Sequence, residues 1–192
     1  RIHTNSWGSS QTSDQGKYTS ESEDVDDRAN YYDRFYNNVE GLSILFASGN
    51  DGSGSGTVNS PGTAKNAITV GSHLNRGGSA PNLIWDSSSR GPTDDQRIKP
   101  DIVAPGAYVR SCKAQEANDV VGSWEDTYYG EYSGTSMATP NAAGAAALIR
   151  EYILEIAERP APQGSLVKAL LVLGARDVGA RDIPNNDEGW GR

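Results

Sequence analysis

The stretch YSGTSMATPNAAG, residues 132–144, places a serine where a nucleophile could work. Ser136 follows Gly134 and opens an alanine-rich segment of the kind that favours helix. The N–H groups at a helix N-terminus are unpaired, and the helix dipole favours negative charge there. An oxyanion formed beside Ser136 would therefore be stabilised. The alternative, which the GTS triplet alone favours, is that Thr135 or Ser136 merely caps the helix.

A second candidate, Asn50, lies in the glycine-rich turn after the apolar run LSILFA, residues 42–47. This run predicts a strand buried on both faces, and side chains at such strand ends meet ligands in α/β folds. The Asn50 amide could donate a hydrogen bond to an oxyanion. The alternative is a turn asparagine, because asparagine and glycine tolerate positive φ.

A serine nucleophile needs a base, and the chain has two histidines, His3 and His73. His3 falls within the first predicted strand, and His73 follows another. Neither has an obvious acidic partner beside it, so both are interpreted as structural. A base role for His73 would require hydrogen-bond reach of Ser136, and we expect the two residues to lie far apart.

Composition excludes several classes of function. The 192 residues carry a net charge of −8, which disfavours a nucleic-acid partner. No apolar run approaches the length of a membrane span. With one cysteine, no disulfide can form within the chain, and no zinc site is expected. The acidic clusters lack EF-hand spacing and are interpreted as solvated faces, which leaves a loop-held structural calcium ion as the only metal considered.

Apolar runs and turn residues predict the order of the elements. Strands are expected within 1–10 and at 42–47, 66–71, 101–106 and 107–111. Helices are expected from a Ser20/Glu23 capping pattern to Gly41, from Thr135 to Glu158, and from Ser165 to Gly174, with 113–134 irregular. Buried strands separated by helices predict an α/β fold with a mainly parallel sheet.

Several segments together resemble the subtilisin-like serine peptidases, or subtilases. The matching segments are NSWG, FASGNDG, AITVGS, SSRGPTDDQRIKPDIVAPG, GTSMATPNAAG and EGWGR, in the order of that family. The resemblance covers nearly the whole chain. It implies a subtilisin-like three-layer α/β fold and a secreted endopeptidase that acts on polypeptides without a required cofactor.

The resemblance also implies roles for individual residues. Ser136 would be the nucleophile, and Asn50 would donate its amide to the oxyanion together with the Ser136 N–H. The strand-like wall Ser6, Trp7 and Gly8 would pair with an extended substrate. The residues Ala47, Ser48 and Gly49 would line the pocket for the residue before the scissile bond.

One departure from the family pattern is decisive. The resemblance implies an aspartate in a D-T/S-G setting and a histidine in an H-G-T-H setting, both before the serine. Neither setting occurs in this sequence. We therefore interpret residues 1–192 as an incomplete, C-terminal part of a subtilase catalytic domain and expect the chain alone to be inactive. The alternative is a non-catalytic peptide-binding or assembly module that retains the cleft.

An incomplete domain has a consequence for association. Removing strands and covering helices leaves an unpaired sheet edge and exposed apolar surface. We therefore expect the chain to associate with another copy or with the missing N-terminal segment.

Overall fold

A computed structural model describes residues 1–35, 42–75, 83–113, 128–159 and 162–192, without the side chains of 30–35. Within these ranges lie six strands, three α-helices and one short 3-10 helix, Thr12–Asp14. The strands are β1 Ile2–Asn5, β2 Ser43–Ala47, β3 Ile68–Leu74, β4 Ile102–Ala107, β5 Val109–Cys112 and β6 Tyr129–Tyr132. The helices are α1 Ser20–Phe35, α2 Thr135–Glu155 and α3 Gly164–Gly174.

The main sheet has four strands in the order β1-β2-β3-β4, and every pair is parallel. The central strand β2 is buried along its whole length, as its unbroken apolar run predicts. The expected α/β fold with a parallel sheet is therefore confirmed. A smaller antiparallel pair, β5 and β6, lies outside this sheet.

Alternating side chains along β2 divide the core into two layers. Leu45 belongs to a cluster with the alanines of α2 and with Val167 and Leu171 of α3. Ile44 and Phe46 point to the other face and pack with Ala29 of α1. The sheet is thus sandwiched between α1 on one side and α2 with α3 on the other, which is the expected three-layer arrangement.

Four local predictions differ from the structure. The stretch 113–134, expected to be irregular, contains β6, which pairs with β5 and gives the predicted strand 107–111 a partner outside the main sheet. Strand β4 runs past the predicted end at residue 106 to Ala107; it can include Pro105 because it is an edge strand and one of its sides needs no ladder hydrogen bonds. Helix α2 ends three residues before the predicted Glu158, at Glu155.

The fourth difference concerns helix starts. The residue before α3 is Gln163, which makes no side-chain capping bond, so Ser165 is not the cap. Ser20 is the first residue of α1, and its hydroxyl donates to Glu21 rather than forming a capping box with Glu23. The predicted end of α1 at Gly41 lies outside the described residues.

A buried cluster of charges joins the starts of β3 and β4 to α3. The Asp101 carboxylate accepts hydrogen bonds from Lys99 Nζ at 2.7 Å and from the Thr69 N–H at 2.7 Å. Its other oxygen lies 3.0 Å from Lys168 Nζ, on α3. Burial lowers the pKa of Lys99 to about 8, although the Asp101 charge opposes that shift. The two ammonium groups overcome the opposing effect of burial and hold the pKa of Asp101 below its ordinary value.

We predict that Asp101→Asn destabilises the fold by about 3–5 kcal/mol, because it leaves the Lys99 ammonium buried without a carboxylate. The measurement is the free energy of unfolding in urea, with Asp86→Asn, an exposed carboxylate, as the control. A loss no larger than that of the control would contradict the prediction.

The same variant should change the pH dependence of stability. The folded-state pKa of Asp101 lies below its value in the unfolded chain, about 3.9. Its stabilisation is therefore complete above that pH and is lost as the pH falls through the folded-state pKa. Asp101→Asn should flatten this acid limb of the stability curve, and an unchanged limb would assign the slope to other carboxyl groups.

Candidate active site

Ser136 lies half-buried in the first turn of α2. The residue before the helix is Gly134, so neither Thr135 nor Ser136 occupies the capping position. The alternative that Thr135 or Ser136 merely caps the helix is therefore wrong. The Ser136 N–H makes no hydrogen bond to another described residue. It is thus an available donor at the positive end of the helix dipole.

The turn after β2 places Asn50 close to this helix. Gly49 has a φ of 110°, and a Cβ there would lie 2.6 Å from Asn59 Nδ2 and 2.8 Å from Ser89 Oγ, so the turn requires glycine. Asn50 itself is not among the residues with positive φ. A positive φ therefore does not explain why residue 50 is an asparagine, and that explanation was the alternative to a donor role.

Thr135 connects the turn to the helix. Its N–H donates to Asn50 Oδ1 at 2.9 Å, and its hydroxyl lies 3.0 Å from the same oxygen. The hydroxyl also lies 3.2 Å from the Gly49 carbonyl oxygen and accepts the Gly49 N–H at 3.3 Å. Because the amide oxygen of Asn50 is held this way, its NH₂ group is the end left for a ligand. Thr135 is completely buried.

The predicted site residues line one cavity of about 260 Å³. Its walls include Ser6, Trp7, Gly8, Ala47, Gly49, Asn50 and Ser136. Ser48 is the exception among the predicted residues, since it is completely buried beneath the wall. The Ser48 N–H donates to the Val70 carbonyl oxygen, and the Ser48 carbonyl oxygen accepts the Asn59 N–H. Ser48 therefore supports the cavity from below.

One wall of the cavity is the segment that follows β1. Trp7 is 58% exposed, yet its ring meets Phe46 edge to face at 5.2 Å. Ser6 touches the helix directly: the Ser136 hydroxyl donates to the Ser6 carbonyl oxygen at 3.3 Å. These contacts bring the predicted substrate wall to the predicted nucleophile.

Neither histidine lines this cavity. His3 is paired in register with Ile44, so its side chain lies on the α1 face of the sheet. The prediction that His73 follows a strand is wrong, because His73 lies within β3 and is buried. It borders a different cavity, between β4, α2 and α3. The described residues therefore provide Ser136 with no imidazole.

Several residues of the site escape sequence reasoning. The sequence indicates Thr135 only as a cap, although it lies beside the candidate serine. Asp51 and Asn59 also line the cavity, and Asn59 Nδ2 donates to the Asp51 carboxylate at 2.6 Å. The segment that contains Asn59 carries no motif, so only the fold could bring it to the site. In the described part of the chain, no group of three metal-binding side chains is gathered.

Comparisons with known proteins identify the family of this chain. The model of the subtilase family matches residues 1–191. Serine protease AprX of Bacillus subtilis (strain 168) is 41% identical over 118 residues, which cover 57% of this chain and 26% of that protein. Subtilisin of Bacillus sp. (strain TA39) is 37% identical over 120 residues, which cover 59% of this chain and 26% of the relative.

The fold is similar to that of solved proteases. Sphericase superposes with a TM-score of 0.66 at 29% identity, over 99% of this chain and 55% of that structure. The CspB protease of Clostridium perfringens superposes with a TM-score of 0.55 at 30% identity, over 71% of this chain and 26% of that structure. The chain thus spans 55% of Sphericase and about a quarter of the two curated relatives.

We predict that Thr135→Val loosens Asn50 and lowers stability by about 1–3 kcal/mol. Valine keeps the shape but leaves the Gly49 and Asn50 groups without the hydroxyl. The measurements are urea unfolding and the NMR exchange rate of the Asn50 side-chain amide. Thr12→Val, which changes an exposed threonine, is the control. An unchanged Asn50 amide would show that the backbone N–H of Thr135 suffices to hold it.

Proposed function

Because this chain belongs to the subtilase family, we propose that it is the nucleophile-bearing part of a serine endopeptidase domain. The observation that carries the proposal is the shared cavity of Ser136 and Asn50, in which Thr135 fixes the amide oxygen of Asn50. That arrangement leaves two N–H donors beside one hydroxyl. Acyl transfer requires this combination of nucleophile and oxyanion donors.

In the proposed reaction, Ser136 Oγ attacks the carbonyl carbon of a peptide bond and forms an acyl-enzyme. The oxyanion of the tetrahedral intermediate accepts hydrogen bonds from the Ser136 N–H and from Asn50 Nδ2. The wall Ser6, Trp7 and Gly8 pairs with the extended substrate, and Ala47 and Gly49 border the pocket for the residue before the scissile bond. Ser48 supports that pocket without lining it.

We further propose that the general base and its acidic partner come from a segment outside residues 1–192. Both histidines of the sequence lie away from the cavity, and Ser136 Oγ donates to a carbonyl oxygen. A serine hydroxyl without a base is a weak nucleophile. The chain by itself therefore binds substrate without efficient turnover.

A second candidate function rests on the same observation. A cleft that lacks a base could serve a peptide-binding or assembly module in which no segment supplies the missing groups. The coding sequence upstream of Arg1 distinguishes the two functions: D-T/S-G and H-G-T-H segments there support the enzyme, and their absence supports the module.

The proposed chemistry requires no cofactor, because a base and two N–H donors complete it. Calcium would serve as a structural ion, and its role can be measured as a fall in thermal stability on chelation. Secretion stays a prediction from the family resemblance. None of the described helices is long and apolar enough to cross a membrane.

We predict that purified 1–192 turns over a chromogenic peptide barely above the uncatalysed rate. A longer protein that includes the base should be active, and Ser136→Ala should abolish that activity. Asn50→Ala should lower its kcat by about 10²–10³, the magnitude already known for the oxyanion-hole asparagine of subtilisin, a member of this same family. Strong turnover by 1–192 that Ser136→Ala removes would instead point to a base within the chain.

We also predict that 1–192 does not remain a monomer at high concentration. The outer edge of β1 is unpaired within the described residues, and a cavity of about 600 Å³ beside it is lined by Trp7, Val25 and Phe46. Such a surface is suited to the segment that would carry the base, and in its absence to a second copy. Light scattering should show association that Thr4→Lys, a charge on this edge, weakens. A clean monomer would contradict the prediction.

A further inference from the structure

Pro140 lies inside α2, four residues after Ser136. In an α-helix the carbonyl oxygen of one residue accepts the N–H of the fourth residue after it. Proline has no N–H, and its ring crowds the carbonyl group four residues earlier. The Ser136 carbonyl oxygen therefore has no backbone donor at position 140.

The Ser6 hydroxyl occupies the place of the missing donor. Ser6 Oγ donates to the Ser136 carbonyl oxygen at 2.9 Å. Ser6 is fixed by its flanks, because Asn5 Nδ2 donates to the Leu45 carbonyl oxygen and the Ser9 N–H donates to the Ser60 carbonyl oxygen. Its hydroxyl is thus presented to the helix by a segment anchored on both sides.

This contact fixes the peptide group on which the nucleophile is mounted. The peptide group between Ser136 and Met137 is held at its oxygen by Ser6 and at its nitrogen by the Gly134 carbonyl oxygen, at 3.0 Å. Two hydrogen bonds at opposite ends of one planar group set ψ of Ser136. They therefore also set the direction of its side chain and of its own N–H.

We infer that Ser6 is a positioning residue for Ser136, in which a side-chain hydroxyl replaces the helical N–H that Pro140 lacks. This inference rests on the proposed function for its biological meaning. It assigns Ser6 a role separate from the backbone pairing of the substrate wall. Pro140 is the other half of the arrangement, because it frees the carbonyl oxygen that Ser6 binds.

The inference can be tested in 1–192 without peptidase activity. Ser136→Cys in a Cys112→Ser background introduces a single thiol at the nucleophile position. Iodoacetamide alkylates its thiolate with release of iodide, and the rate against pH gives the pKa of that thiol. This readout depends on the orientation of the first turn and needs neither histidine nor substrate.

We expect Ser6→Ala to slow alkylation at pH 7 by about threefold to tenfold, the equivalent of one lost hydrogen bond, with a raised thiol pKa. Ser6→Thr retains the hydroxyl and should retain the rate. In a Pro140→Ala background the N–H is restored, so Ser6→Ala should change the rate by less than about twofold. Ser53→Ala, which alters an exposed serine that does not line the cavity, is the control for serine loss.

Equal effects of Ser6→Ala in the Pro140 and Pro140→Ala backgrounds would overturn the inference, and so would no effect in the Pro140 background. Hydrogen exchange of the Met137 amide is a second measurement on the parent protein, Ser6→Ala, Pro140→Ala and the double variant. Exchange should be faster in Ser6→Ala than in the parent, and adding Pro140→Ala should return it to the parent rate. A missing coupling would leave the peptidase proposal intact, whereas an inactive longer protein would leave this coupling intact.

Discussion

The hydrogen bonds between Thr135 and the turn at Gly49 and Asn50 are the constraint on which the site depends. They join the start of a helix to the end of a strand that lies more than eighty residues earlier in the chain. The contact is possible because α2 lies close against the sheet. The helix presents Ala138, Ala142 and Ala146 to the core, and small side chains allow close approach. At Gly106 a Cβ would lie 2.7 Å from the Gly134 carbonyl oxygen, so β4 is equally close.

The parallel sheet separates this polar site from the buried charges. All four strands run in one direction, so their carboxyl ends lie on the same side of the sheet, and Asn50 and Ser6 lie just beyond these strand ends. The cluster of Lys99, Asp101 and Lys168 joins the starts of β3 and β4, at the opposite ends of the strands. The buried ion pairs that connect β3, β4 and α3 thus lie away from the candidate active site. The contacts that hold Asn50 and Ser136 in place are neutral hydrogen bonds.

The sequence predicts the parts of the molecule whose signals are local. The apolar run 42–47 predicts β2, and the alanine-rich segment after Gly134 predicts α2, because burial and helix propensity act over neighbouring residues. The sequence predicts a strand at 107–111, but β6 and its pairing with β5 escape prediction, since the two strands are not neighbours in the sequence. Thr135 and Asn59 escape it for a related reason. Their roles arise from partners outside their own segments, which no single segment can indicate.

The same geometry limits where a base can enter. Gly49 and Asn59 line the cavity beside Asn50, and hydrogen bonds hold them to Ser89, Ser48 and Asp51. Ser6, which also lines the cavity, directly follows the edge strand β1. A strand added in parallel beside β1 would have its carboxyl end next to that of β1, close to Ser6. A carboxylate or imidazole carried there would lie beside Ser6 and Ser136, and the Ser136 hydroxyl would then donate to it instead of to the Ser6 carbonyl oxygen.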